Sequence, residues 1–310
     1  MSTRLRVGVI GLGRRWRRYR RALERLGKRV AVRAVCDQVG RRAESEARRL
    51  SCAAAAGPVD LLERDDVDAA LLLGRQWFGL WPLEHACRVG KPVLCAVPLT
   101  ADEAHADGLR RRVTDARLPV LTALAPAVAP AVARLGELLA GPLGAARLVR
   151  IDGALPAGGR QEALRSPALL SLLNLSAALL GAAPAGVLAT DGEAPGFGSA
   201  VLDFADGRAA QVTLWRAPAG VETGCRVEVV AERGAAAAEL PDRLSWRDEA
   251  GRHLLRLRGA AGETALLGLF LDALRDGRPP RPDFEDACRA FAWRRALLQS
   301  LAEGKRVPTA

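Results

Sequence analysis

Residues 6–16 read Arg-Val-Gly-Val-Ile-Gly-Leu-Gly-Arg-Arg-Trp, and this stretch decides the architecture around it. Val7, Val9 and Ile10 belong to an apolar run at 5–10 of the kind found in a strand buried on both faces. Gly11-Leu12-Gly13 interrupts the run. Trp16, Tyr19, Leu23 and Leu26 then recur at intervals of three and four, which predicts a helix over 14–27. The alternation continues outward, with β-type runs at 30–36, 67–73, 92–95 and 119–122 and helical periods at 40–50, 80–89 and 101–117. Strand and helix alternating in this way predict a doubly wound parallel sheet, an α/β domain spanning residues 1–123.

A helix at 129–140 leads into a different pattern, strands in succession at 146–152, 186–190, 199–215, 225–240 and 243–257. Asp206-Gly207, Arg233-Gly234 and Gly251 mark hairpin turns within them. The expectation for 124–310 is an α+β domain with an open-faced, mainly antiparallel sheet. Helices at 166–180, 263–276 and 283–303 are expected to cover one of its faces. The uncovered face implies self-association into a homo-oligomer.

The chain has 310 residues, 49% hydrophobic and 26% charged, a composition that excludes disorder, collagen and coiled coil. No apolar stretch approaches the roughly 20 residues of a membrane helix, and the opening lacks the succession of a signal peptide, so the expectation is a cytoplasmic protein without membrane contact. Cys36, Cys52, Cys87, Cys95, Cys225 and Cys288 have no CxxC spacing, so neither a metal site nor a disulfide framework is expected. Residues 14–33 hold ten basic side chains against Glu24 alone, +9 of the formal net +11. That helix can meet an anionic partner. The preferred reading is a solvated face, since no nucleic-acid motif accompanies it, and nucleic acid is not the expected partner.

Gly11-Leu12-Gly13 between a strand and a helix lets backbone approach a pyrophosphate lying on the helix N-terminus. Arg14 and Arg15 stand ready to pair with phosphate. Asp37 ends the second strand, 24 residues past Gly13, where a carboxylate can accept ribose hydroxyls. These features predict a dinucleotide site, with NAD favoured by Asp37 and with Arg41 and Arg42 leaving room for NADP. Trp16 stands where a third glycine would bring helix and strand together, which weakens binding. Either the helix lies farther out or the indole turns toward the cofactor's space.

RVGVIGLG with Asp37, DDVDAALLLG, HACRVGKPVLCAVPLTADEA, FADGRAAQVTLW and FLDALRDGRPPRPDFEDACRAFAWRRALLQSLAEGKRV together resemble the glucose-fructose oxidoreductase, inositol dehydrogenase and MocA family. The resemblance covers nearly the whole chain. It implies a Rossmann domain followed by a substrate and oligomerisation domain, and hydride transfer between NAD(P) and a sugar or polyol. The family's Thr-Pro-Asn-type loop, which lines the nicotinamide site, reads Gly74-Arg75-Gln76 here, and its Arg-bearing segment after the sixth strand reads Ala123 to Pro126.

The chain departs from that family where the chemistry is done. The family's Glu-Lys-Pro, whose lysine stands beside the reacting carbon, is here Ala96-Val97-Pro98. Lys91 precedes the strand, at the end opposite the cofactor. The positions of an Asp, a His and a second Asp fall on Pro167, Ser171 and Asn174, and residues 158–185 contain no His, Asp, Lys or Tyr. His85, His105 and His253 read as surface or interface residues. A positioned acid or base contributes about 10² to 10⁴ in rate, so the leading expectation is a non-catalytic or catalytically altered relative that binds a nucleotide or a small sugar-like ligand. Arg75, Gln76 and Ser171 remain to orient a ligand, with Glu162 on the preceding loop, and a second reading keeps an active dehydrogenase relying on unconventional groups such as Arg75 or a water held by Ser171. A third assigns function to the anionic partner of helix 14–33.

Overall fold

A computed structural model describes residues 4–74, 78–97, 103–156, 163–192, 196–221 and 223–309. The chain divides into two compact units, Met1–Ala123 with Glu263–Cys288, and Leu124–Gly262 with Arg289–Ala310.

The first unit runs β1 (Leu5–Ile10), α1 (Trp16–Arg25), β2 (Val30–Cys36), α2 (Gly40–Leu50), β3 (Ala53–Ala54), α3 (Pro58–Leu62), β4 (Ala69–Leu72), α4 (Trp81–Val89), β5 (Val93–Cys95), α5 (Glu103–Asp115) and β6 (Val120–Thr122). All its strand pairs are parallel, in the order β3-β2-β1-β4-β5-β6. Every residue of β4, β5 and β6 is buried, which is why these short strands show no polar alternation in the sequence. α1 buries Trp16, Tyr19, Ala22 and Leu23 as one stripe and turns its arginines outward. The order reverses between β1 and β4, and the C-terminal ends of those two strands mark the place where such sheets receive a ligand.

The second unit begins with α6 (Pro130–Ala140), β7 (Ala146–Leu155), α7 (Ala168–Leu180), β8 (Gly186–Asp191), β9 (Phe197–Asp203) and β10 (Ala209–Arg216). It continues through β11 (Cys225–Ala231), β12 (Gly234–Glu239), β13 (Arg243–Asp248) and β14 (Gly251–Arg256). After α8 (Gly262–Arg275) and α9 (Phe284–Glu303), β15 (Val307–Pro308) closes the sheet. Its nine strands lie in the order β14-β13-β12-β11-β7-β10-β9-β8-β15. β7 and β10 run parallel at the centre, and the other pairs are antiparallel. α7 packs on β7 and β10, and α6 packs on β12 and β13. The opposite face exposes Leu148, Val201, Val230 and Leu254.

The C-terminal helices correct one expectation. α8 belongs to the first unit rather than covering the second sheet. Asp272 on α8 pairs with Arg29 at 2.7 Å, Glu263 pairs with Arg18 at 3.5 Å, and the hydroxyl of Thr122 donates to the Asp283 carbonyl at 2.8 Å. Only the later part of α9 joins the second core, through Ala290, Trp293, Ala296 and Leu297. Periodicity reveals that a helix has an apolar face, but not which sheet that face covers.

Candidate dinucleotide site

Gly11 and Gly74 follow β1 and β4, on either side of the reversal in strand order. Gly11 has φ +92°, and a β-carbon there would lie 2.6 Å from the Gly74 nitrogen and 2.7 Å from its Cα. Conformation and crowding both require glycine. The Gly11 N–H donates to the Cys36 carbonyl at 2.9 Å and the Gly74 N–H to the Ile10 carbonyl at 3.4 Å, so the turn is fastened to the strands on both sides.

Gly13 has the opposite surroundings. A β-carbon there would meet nothing among the described residues within 4 Å. It opens onto the start of α1, whose first turn holds no acidic residue and no side-chain cap. Arg14 and Arg15 are exposed beside it. The positive end of the helix and two guanidinium groups make a cradle that fits a pyrophosphate. Trp16 does not fill that space. Its side chain is 5% exposed, and its indole nitrogen is buried without a hydrogen-bond partner among the described residues.

Asp37 is more committed than its position in the sequence suggests. Oδ2 accepts the Leu12 N–H at 2.7 Å, and Oδ1 accepts the Val39 N–H at 3.0 Å and Arg42 Nη1 at 3.1 Å. The side chain has no exposed surface. NAD recognition asks this position for a carboxylate that can meet ribose, and here that carboxylate braces the glycine turn. The Arg42 clamp escaped the sequence reading because it depends on where the first turn of α2 points.

Ala96 and Val97 follow β5 and are each 5% exposed. The Cys95 thiol donates to the Val97 carbonyl at 3.6 Å, and burial pushes its pKa up to about 11, against the pull of Arg15. Tyr19, the only tyrosine, is 1% exposed, and its hydroxyl has no partner among the described residues. Burial, reinforced by Glu263, holds that phenol above its ordinary range. Lys91 lies before β5 and donates to the Arg64 carbonyl; burial lowers its pKa, with Asp65 and Asp68 opposing.

In the second unit, Pro167 precedes α7 and is exposed. Ser171 is half-buried and Asn174 is 7% exposed, three positions apart on one helical face. The pair offers hydroxyl and amide groups and nothing that titrates near neutrality. Arg75, Gln76, Pro98 and Glu162 lie outside the described residues.

His85, read as a surface or interface residue, is buried within its own chain. It is 6% exposed, its Nδ1 lies 2.9 Å from Arg88 Nη2, and its Nε2 is 3.1 Å from a Glu63 carboxylate oxygen. Proximity to Pro82, Leu83 and Ala86 on the packed side of α4 buries it. His105 is part-exposed, 3.7 Å from Glu84. His253 stacks on Trp246 with ring centroids 4.6 Å apart and meets Asp248 at 3.0 Å. On α1 and just beyond it, Arg18, Arg20 and Arg29 have carboxylate partners within 4 Å. Among the described residues no group of three or more His, Cys, Asp or Glu is placed to hold a metal, and no helix is long and apolar enough to cross a membrane.

A family model described as an oxidoreductase family with an NAD-binding Rossmann fold matches residues 5–121. No curated protein matches the sequence. Among solved structures, UDP-N-acetylglucosamine 3-dehydrogenase GnnA from Acidithiobacillus ferrooxidans superposes with a TM-score of 0.84 at 22% identity, covering 97% of this chain and 99% of that one. Levoglucosan dehydrogenase in complex with NADH gives 0.88 at 16% identity, covering 99% and 100%. An oxidoreductase from Agrobacterium radiobacter in complex with NAD+, L-tartaric acid and magnesium gives 0.85 at 17%, covering 99% of each. At these identities the structural likeness establishes the two-domain fold. Residues 5–121 thus match the model of the glucose-fructose oxidoreductase, inositol dehydrogenase and MocA oxidoreductase family, and over nearly its whole length the chain shares the fold of these dehydrogenases.

Proposed function

We propose that this protein binds a nicotinamide dinucleotide and a sugar-like ligand but has lost the family's usual proton-coupled hydride transfer. The observation that carries the proposal is the pair Ala96 and Val97 at the end of β5, both 5% exposed and neither able to hold a proton. A bound nicotinamide would supply a hydride donor or acceptor. The chain's own residues do the rest. The start of α1, opening at Gly13, receives the pyrophosphate and Arg14 and Arg15 balance its charge; in the second unit, Ser171 and Asn174 offer a hydroxyl and an amide to a sugar-like ligand. None of these side chains moves a proton at neutral pH, so a secondary alcohol loses the assistance worth about 10² to 10⁴ in rate.

The test joins two measurements on the purified protein: titration with NADH and NADPH followed by nicotinamide fluorescence, and a 340 nm screen across sugars, inositols and their keto forms. Binding without turnover is the expected result. Sustained turnover that co-purifies with the protein would restore the active-dehydrogenase reading, and failure to bind either nucleotide would remove the cofactor from the proposal.

Self-association through the open sheet face belongs to the same proposal, supported by Leu148, Leu188, Phe197, Val201, Val230 and Leu254, each more than 40% exposed. A cytoplasmic setting is supported by six cysteines that are all unpaired. The arginines of α1 are assigned to a solvated surface, because its aromatic residues face the core.

A further inference from the structure

The Asp37 carboxylate bears on which dinucleotide the site takes. A carboxylate offers about four lone-pair sites. Here Leu12, Val39 and Arg42 occupy three of them, and the side chain has no surface left to offer. The adenosine ribose of NAD asks this position for a free acceptor. A 2′-phosphate asks for donors and positive charge, and brings its own acceptors.

Donors and charge are what the neighbourhood supplies. α2 begins three residues after Asp37, with Arg41 and Arg42 in its first turn and no acidic residue there. Its N-terminus favours an anion. Arg42 reaches Asp37 through Nη1 while its side chain stays 46% exposed, so a cation borders the site at this point. The Asp37 charge, which would repel a phosphate if it were bare, is neutralised by the same guanidinium and by two amides.

Resting on the reading that the glycine turn binds a nicotinamide dinucleotide, we propose that this site selects the 2′-phosphorylated form, NADP(H), and that Arg42 is the specificity-determining residue. Arg42 acts twice: it withdraws the Asp37 carboxylate from ribose hydroxyls, and it presents a cation to the 2′-phosphate.

Calorimetric titration of the full-length protein and its Arg42→Ala variant with NADPH and with NADH tests this, with circular dichroism showing that the variant is folded. The expected result is NADPH binding at least about tenfold tighter than NADH in the parent, the size of one charge-assisted hydrogen bond. Arg42→Ala should erase that difference by weakening NADPH and leaving NADH equal or tighter. NADH binding as tightly as NADPH in the parent, or equal weakening of both in the variant, overturns the assignment. Binding of neither nucleotide by folded parent protein overturns the dinucleotide reading itself, which separates the two failures.

Discussion

The main chain of Gly74 occupies the space that a β-carbon on Gly11 would need, its nitrogen 2.6 Å from that point. The ends of β1 and β4 thus meet backbone to backbone where the strand order reverses. Gly11→Ala is expected to cost about 1–3 kcal/mol from its positive φ alone, and more as Gly74 is displaced. Gly13→Ala, with nothing among the described residues within 4 Å, should leave stability within about 0.5 kcal/mol while placing a methyl group in the phosphate cradle. Thermal unfolding of the two variants, followed by nucleotide titration of Gly13→Ala, checks the contrast. Equal midpoints for both would contradict it.

The return of α8 to the first unit is expected to depend on packing more than on charge. Phe270 is fully buried, and Phe270→Ala should cost about 3–5 kcal/mol. Arg29 and Asp272 form a 2.7 Å pair with both side chains 36% exposed, so Arg29→Ala should cost less than about 1 kcal/mol. Denaturant titration of the two variants measures the difference. A larger loss from Arg29→Ala would reverse the order of importance.

Asp68 carries a pH signature. Its carboxylate is held below the usual range by hydrogen bonds from the Arg6 guanidinium and, at 2.8 Å, from the Arg6 backbone amide. A carboxyl whose pKa falls on folding stabilises the native state above its unfolded pKa, near 4, and that stability is lost as pH drops through the folded value. The parent should therefore lose thermal midpoint as the pH falls below about 5. Asp68→Asn should start lower at pH 7 and show a flatter profile. Parallel profiles for the two proteins would refute the assignment.

The thiols are predicted to be inert in the native state. Burial pushes the pKa values of Cys36, Cys225 and Cys288 up to about 12, and those of Cys52 and Cys95 up to about 11. A thiol reagent at pH 7 should label the folded protein slowly and all six cysteines rapidly in guanidinium. Rapid labelling of Cys36 or Cys95 without denaturant would show that the glycine turn opens readily.

Most of the fold was legible because its elements carry strong periodic signals. The runs at 5–10 and 30–36 are β1 and β2 to the residue, and the turn glycines separate the hairpins of the second sheet. What escaped was short or non-local. Ala53–Ala54 is a strand without a β-branched residue, and Pro58–Leu62 is a helix too brief to show a period. The parallel pairing of β7 with β10 joins strands more than fifty residues apart and leaves no mark on either. The glycine turn between β1 and α1 and the place of Asp37 just after β2 were legible from their order along the chain. The engagement of Asp37 was not, since a carboxylate's partners are set by geometry around it. His85 was misread for the same reason: its helix turns it inward although its residue type favours the surface.

Because the first unit draws on Met1–Ala123 and again on Glu263–Cys288, a gene fragment ending at Ala123 would produce an incomplete nucleotide module. Thr122 would lose the Pro282 carbonyl that receives its amide, and Arg29 would lose Asp272. A chimera that keeps the first unit of this chain and replaces the second must then carry the tail together with the head.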